Sequence, residues 1–103
     1  MVPLVESKRD ALAALCCQYG VARLELFGSA ATGARDEDAR DLDFLVEFQP
    51  GRSLGPWLAH YFDFQAELER LFGRSVDLVM AGALRDPSFI REVNRSRKVL
   101  YAA

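Results

Sequence analysis

The sequence holds one histidine, His60, one tryptophan, Trp57, and two cysteines that stand side by side, Cys16 and Cys17. A single imidazole excludes a histidine-rich metal site and leaves any serine–histidine mechanism resting on that one ring. Adjacent cysteines lack the spacing of a zinc or redox motif, and neighbouring helix positions point in different directions, so both read as packing residues. An excess of one charge is missing too: 13 basic residues against 15 acidic ones leave a net charge of -2, which speaks against bulk electrostatic capture of nucleic acid. No apolar run approaches a membrane span, and Glu6 and Asp10 stand where a signal peptide would be apolar. Repeats, low-complexity tracts and linkers are absent as well. The expectation is one domain over residues 1–103, cytoplasmic by default, with a core small enough that a partner could complete part of it.

What is present is a regular alternation of elements. Val5, Leu12, Leu15, Cys16 and Tyr19 fall at helical spacing and predict a helix over residues 4–19, stopped by Gly20. Val21–Phe27 alternates like a strand and is cut short by Gly28-Ser29. Residues 34–40 are charged and aperiodic, the pattern of a solvated loop. Asp41–Phe48 reads as a second strand, closed by Pro50-Gly51. Ser53 is placed to cap a helix running to Phe72, with Pro56 in its first turn and Gly73 just past its end. Ser75–Met80 predicts a third strand, Asp86-Pro87 opens a last helix to Arg97, and Val99, Leu100 and Tyr101 form a final short strand. The fold class expected is α/β (α+β): a small mixed sheet of three to four strands with helices packed on one side.

Asp41 and Asp43 are two apart on a strand, so both carboxylates share a face while Leu42 and Phe44 turn to the core. Acid-x-acid spacing arises by chance, and Asp36/Asp38 and Glu67/Glu69 are further instances that read as solvated charge. The first pair differs in heading an apolar strand, where an unpaired charge is costly. Two such acids repel unless a cation lies between them, and oxygen-only ligands suit magnesium, completed by substrate phosphates. Asp77 sits inside Val76-Asp77-Leu78-Val79, an apolar strand in which aspartate is a poor β-former. It is either an exposed-edge carboxylate or a third metal ligand. Gly28-Ser29 follows the first strand directly; glycine there lets backbone approach a phosphate, and the next turn's N–H groups can bind anions. A plain turn is the simpler reading of Gly-Ser alone. The segment is neither a Walker A loop, since Ala34-Arg35 stands where Lys-Ser/Thr is required, nor a Rossmann fingerprint.

In order along the chain, Phe27-Gly28-Ser29, Gly33, Asp41-Leu42-Asp43-Phe44-Leu45-Val46 and Val76-Asp77-Leu78-Val79 resemble the polymerase-beta-type nucleotidyltransferase core, and the compactness resembles its shortest members, the MNT antitoxins. The resemblance covers nearly the whole chain. It implies two magnesium ions held by Asp41 and Asp43, with Asp77 completing the ion that activates an acceptor hydroxyl. Gly28 and Ser29 would hold the triphosphate of ATP. It implies transfer of AMP to a tyrosine hydroxyl of a HEPN toxin, the partner in a hetero-oligomer, which is thereby silenced. Thr32 departs from the pattern, standing where the family often has arginine, and Arg40 replaces the serine that usually opens the carboxylate strand. Arg35 is the cation placed to substitute for the one missing at Thr32, and alternation turns Arg40 away from the acids.

Two surfaces remain. Leu54, Leu58, Tyr61, Leu68 and Phe72 make one apolar face of the long helix, and Trp57, Phe64 and Leu71 a second stripe, read either as a broad core or as an interface. Arg91, Arg95, Arg97 and Lys98 cluster near the C-terminus as a solvated helix face or a nucleotide or DNA contact. Two alternatives to the transferase stand beside it. A non-catalytic antitoxin would neutralise its partner by contact alone, and a metal-dependent nuclease would use the acids without needing Gly28-Ser29.

Overall fold

Residues 3–32, 41–51 and 53–103 are described by a computed structural model of the chain. Gly33, Arg35, Arg40, the rest of the expected 34–40 loop and the side chain of Trp57 lie outside the described residues. The chain runs α1 (Pro3–Ser7), α2 (Arg9–Tyr19), β1 (Val21–Phe27), β2 (Asp41–Phe48), α3 (Ala59–Phe72), β3 (Ser75–Met80), α4 (Pro87–Ser96) and β4 (Lys98–Ala102). The strands form one mixed sheet in the order β3-β2-β1-β4. β1 pairs antiparallel with both β2 and β4, while β2 and β3 are parallel. Parallel neighbours need a crossover between them, and α3 supplies it.

The expected first helix is two. It breaks at Lys8, whose N–H still donates to the Val5 carbonyl. α2 ends on Gly20, left-handed at φ 69°, as the glycine stop predicts. The long helix begins later than Ser53: Ser53 Oγ accepts the Gly55 N–H in a separate turn, and Pro56–Leu58 makes one turn of 3-10 helix before Ala59. Leu58 therefore leaves the apolar face and is 41% exposed. Tyr61, Phe64, Leu68, Leu71 and Phe72 all pack into one core, so those members of the two stripes form a single broad face. Cys16 is buried and burial pushes its thiol up to about 12, but Cys17 is exposed and packs nothing. His60 directs Nε2 to the Tyr19 carbonyl at 2.6 Å and sits against the rings of Tyr19 and Phe48, a packing role.

One face of the sheet gives Leu24, Leu26, Leu42, Phe44, Val46, Val76 and Leu78 to the main core, against Leu12 and Cys16 of α2 and Phe64, Leu68 and Phe72 of α3. The opposite face is not bare, contrary to the one-sided expectation. Phe27, Leu45 and Val93 form a second buried cluster, with Val79 and Leu84 at its margin, so α4 covers part of that face. Double coverage explains why Leu24, Glu25, Leu26 and Phe27 are all buried where alternation alone predicts every other residue.

β3 is an edge strand, and α3 occupies its free hydrogen-bonding groups. Tyr61 donates its hydroxyl to the Leu78 carbonyl, Gln65 Nε2 donates to the Val76 carbonyl at 2.8 Å, and Glu69 Oε2 accepts the Val76 N–H at 3.0 Å. These residues are four apart and form one ridge of α3. The ridge blocks pairing by another chain and fixes the position of Asp77. Glu69 is thus a strand ligand rather than a solvated charge.

Candidate functional site

The site lies on the face that α4 partly covers, at the β1 exit and the β2 entrance. Register decides which side chains meet. Phe27 pairs with Asp43 across β1 and β2, and Asp43 pairs with Asp77 across β2 and β3. Same-register residues on adjacent strands place their side chains on one face, and Asp41, two residues before Asp43, joins them. Leu42 and Phe44 are fully buried on the other face, as alternation predicts. Asp43 is half-buried, whereas Asp41 and Asp77 are exposed. Asp77 is therefore both an edge carboxylate and a neighbour of Asp43.

Burial, then the charge of Asp77, then that of Asp41, holds the Asp43 carboxyl above the ordinary aspartate range. Among the described residues none of these three acids has a basic partner, and no three Asp, Glu, His or Cys side chains already form a closed metal cage. The acids are close enough to repel and have not converged on one point. That donor set fits magnesium, which takes one or two carboxylates and fills its remaining positions with water and substrate phosphates.

Gly28 joins the acids to the loop. Its φ of 78° is left-handed, and a Cβ there would stand 2.6 Å from Asp43 Oδ2. Only glycine satisfies both conditions. The Gly28 N–H is already used: it donates to the hydroxyl of Ser96, buried at the end of α4, at 2.8 Å. After it the chain makes a tight turn in which the Ala31 N–H donates to the Gly28 carbonyl and the Thr32 N–H to the Ser29 carbonyl. Ala30 is buried in the main core, whereas Ser29 is exposed and its N–H has no acceptor among the described residues, which leaves it able to meet an anion. Thr32 turns its hydroxyl back to the Ser29 carbonyl at 3.2 Å, so it contributes no charge. A cavity of about 260 Å³ opens here, lined by Gly28, Ser29, Thr32, Glu92, Arg95 and Ser96.

Two features were not read from the sequence. Ser96 and Arg95 border the loop although nearly seventy residues of chain intervene, and no periodicity signals that. Glu25 is a buried carboxylate held by Arg97, with Nε 3.2 and 3.1 Å from its two oxygens and Nη2 also bonded, and by Arg23 at 3.3 Å. Burial pushes this carboxyl up, but the Arg97 hydrogen bonds and charge, with Arg23, outweigh it and leave it below the ordinary glutamate range. An acid amid the apolar residues of β1 was the available sign. Arg97 is thereby a structural partner and not part of a free basic cluster. A larger groove of about 490 Å³ lies at the far ends of β2 and β3, bounded by residues including Phe48, Leu54, Met80 and Arg85. Its lining holds one acid, Glu47, and none of Asp41, Asp43 and Asp77.

A family model described as a nucleotidyltransferase domain matches residues 8–100. The chain is similar to the protein adenylyltransferase MntA of Thermococcus cleftensis, 35% identical over 79 residues, which cover 74% of this chain and 75% of that protein. Among solved structures it is similar to a candidate minimal nucleotidyltransferase, with TM-score 0.70 at 35% identity over 91% of this chain and 90% of the other. It also shares the fold of a chain in the complex of a tri-AMPylated Shewanella oneidensis HEPN toxin with an MNT antitoxin. There the TM-score is 0.65 at 17% identity, over 96% of this chain and 73% of that one.

Proposed function

We propose a function from one premise: the chain belongs to the nucleotidyltransferase domain family. It transfers AMP from ATP to a hydroxyl, that of a tyrosine, on a HEPN-type toxin with which it assembles, and so acts as the antitoxin. The observation that carries this is the meeting of Gly28 with Asp43, which sets an anion-binding turn against a trio of uncompensated acids. The names borne by MntA and by the AMPylated toxin complex support the acceptor class.

In this reading Asp41 and Asp43 would hold two magnesium ions, with Asp77 as the third carboxylate ligand. Bound there, the ions would supply positive charge to the entering and leaving oxygens. The Ser29 N–H and hydroxyl hold the phosphate tail, while Gly28 keeps it close to the acids. The acceptor oxygen bonds to the α-phosphorus as the bond to the β-phosphate's bridging oxygen breaks, giving the AMP ester and pyrophosphate. The acceptor proton passes to water. The sheet and the α3 ridge hold the carboxylates before substrate arrives, so positioning is built into the fold.

The test is incubation of the protein with labelled ATP, magnesium and the protein encoded by the neighbouring gene, which this reading requires to be a HEPN toxin. Label is expected on a toxin tyrosine and is expected to vanish in Asp43→Ala. No transfer by the native protein, or transfer surviving that substitution, rejects the assignment. A second reading, neutralisation by contact alone, is favoured by the inward-bonded Thr32, which supplies no cation to a triphosphate. It requires that a chain carrying Asp41→Ala and Asp43→Ala still protects cells. Loss of protection with toxin binding intact excludes it.

A further inference from the structure

The turn after β1 has lost the cation the family often carries, since Thr32 stands at that position and bonds back to its own turn. A triphosphate bound at this turn still needs positive charge. We propose that Arg95, on the last turn of α4, supplies it, and that the cavity between α4 and the Gly28-Ser29 turn is a subsite for the phosphate tail of the nucleotide. The inference rests on the transferase reading above.

Four observations converge. The cavity measures about 260 Å³, below the usual range of about 300–1,000 Å³ for whole small-molecule pockets, and so suits phosphates better than a complete nucleotide. Among the described residues Arg95 is the one basic residue in its lining and makes no ion pair or hydrogen bond, and its side chain is exposed. The neighbouring arginines of α4 are otherwise engaged, Arg97 with Glu25 and Arg91 with the Ser88 hydroxyl at 3.2 Å. Finally, the wall carrying Arg95 is pinned to the turn itself, because Ser96 Oγ accepts the Gly28 N–H. The backbone carrying Arg95 is therefore held beside the free Ser29 N–H.

The sequence offers Arg95 only as one member of a C-terminal basic cluster, and the fold brings it from the opposite end of the chain to the turn. Glu92, one turn before Arg95, also lines the cavity and opposes an anion there. A phosphate entering without a divalent cation consequently depends on Arg95 to offset both Glu92 and the carbonyls at the α4 C-terminus. The simpler role for Arg95, complementing that helix end, would affect stability without nucleotide and leave binding untouched.

The experiment is equilibrium binding of ATP, inorganic tripolyphosphate and adenosine, with and without magnesium, to the full chain and its variants. Arg95→Ala is expected to weaken ATP and tripolyphosphate about tenfold and to leave adenosine unchanged. Arg95→Lys should recover part of the loss, Glu92→Gln should tighten metal-free tripolyphosphate, and Arg91→Ala should do neither. Melting temperature without ligand serves as the readout for the purely structural role. Unchanged tripolyphosphate affinity in Arg95→Ala, with ATP bound by the native chain, overturns the subsite and leaves the transferase reading standing. No ATP binding by the native chain overturns both.

Discussion

Replacing Gly28 with alanine tests the junction on which the site depends, and it does so through folding as well as activity. The backbone there is left-handed at φ 78°, a conformation that costs an L-residue with a Cβ about 1–2 kcal/mol. The new Cβ would also stand 2.6 Å from Asp43 Oδ2, inside the 3.0 Å that real Cβ contacts respect, with Asp43 Cγ at 3.5 Å. Oδ2 is the far end of a side chain, so relief by turning that carboxylate off its preferred rotamer adds about 1 kcal/mol. The expected loss is about 2–3 kcal/mol, equivalent to about 10 °C or more in melting temperature for a domain of this size. Asp43→Ala separates the two contributions. It removes Cγ and Oδ2 and keeps Asp43 Cβ, which lies at an ordinary 3.7 Å. In that background Gly28→Ala should cost only the backbone part, so a double-mutant cycle measured by denaturant unfolding should show a coupling of about 1 kcal/mol or more. Equal losses in both backgrounds would refute the claim that the loop is set by its approach to Asp43. A loss below about 0.5 kcal/mol in the native background would refute the backbone claim as well.

Asp43→Asn should raise the metal-free melting temperature by a few degrees, since like charges facing across strands cost about 0.2–1 kcal/mol. The native carboxyl lies above its ordinary range when folded, so stability is lost as pH rises through that window; a pH series in chelator should show this decline absent from the variant. Glu25 behaves oppositely: its folded value lies below the ordinary 4.5, so its contribution is complete above that pH and is lost as pH falls through the folded value. Arg97→Ala, which strands a buried carboxylate beside a partner itself 35% exposed, should cost about 2 kcal/mol at neutral pH and little in acid, read by thermal melts across pH. Ser96→Ala leaves the Gly28 N–H without its acceptor and should cost about 1–3 kcal/mol, with ATP affinity falling beyond what reduced stability explains.

Legibility in the sequence followed the range of each interaction. Alternation along β2 put Asp41 and Asp43 on one face and Leu42 and Phe44 on the other, and the structure keeps that division. Asp86-Pro87 opens α4 as expected, and the Asp86 carboxylate accepts the Ser88 N–H at 3.1 Å. The helix start at Ala59 was misplaced because Ser53 and Pro56 carry signals common to helices and turns, and the left-handed Leu58 settles which prevails. The pairs joining Gly28 to Ser96 and Glu25 to Arg97 were illegible for another reason. They span 68 and 72 residues, and neither member has a local pattern that names its partner. They arise only once α4 lies on the second face of the sheet, a placement that apolar periodicity in α4 alone does not specify.

The same sheet face treats its acids in two ways. Glu25 is almost wholly buried, and the chain meets its charge with two arginines, one of them bidentate. Asp41, Asp43 and Asp77 stand a few residues away with no arginine or lysine among the described residues to meet theirs. The fold thus has the means to neutralise a carboxylate and applies it to one position. At the other, burial and then the charges of Asp77 and Asp41 hold the Asp43 carboxyl above its ordinary range. Under the proposed function, a cation arriving with substrate phosphates would remove that repulsion. Binding energy would then be gained where folding energy was withheld, as expected when a site is complementary to its loaded state rather than to itself.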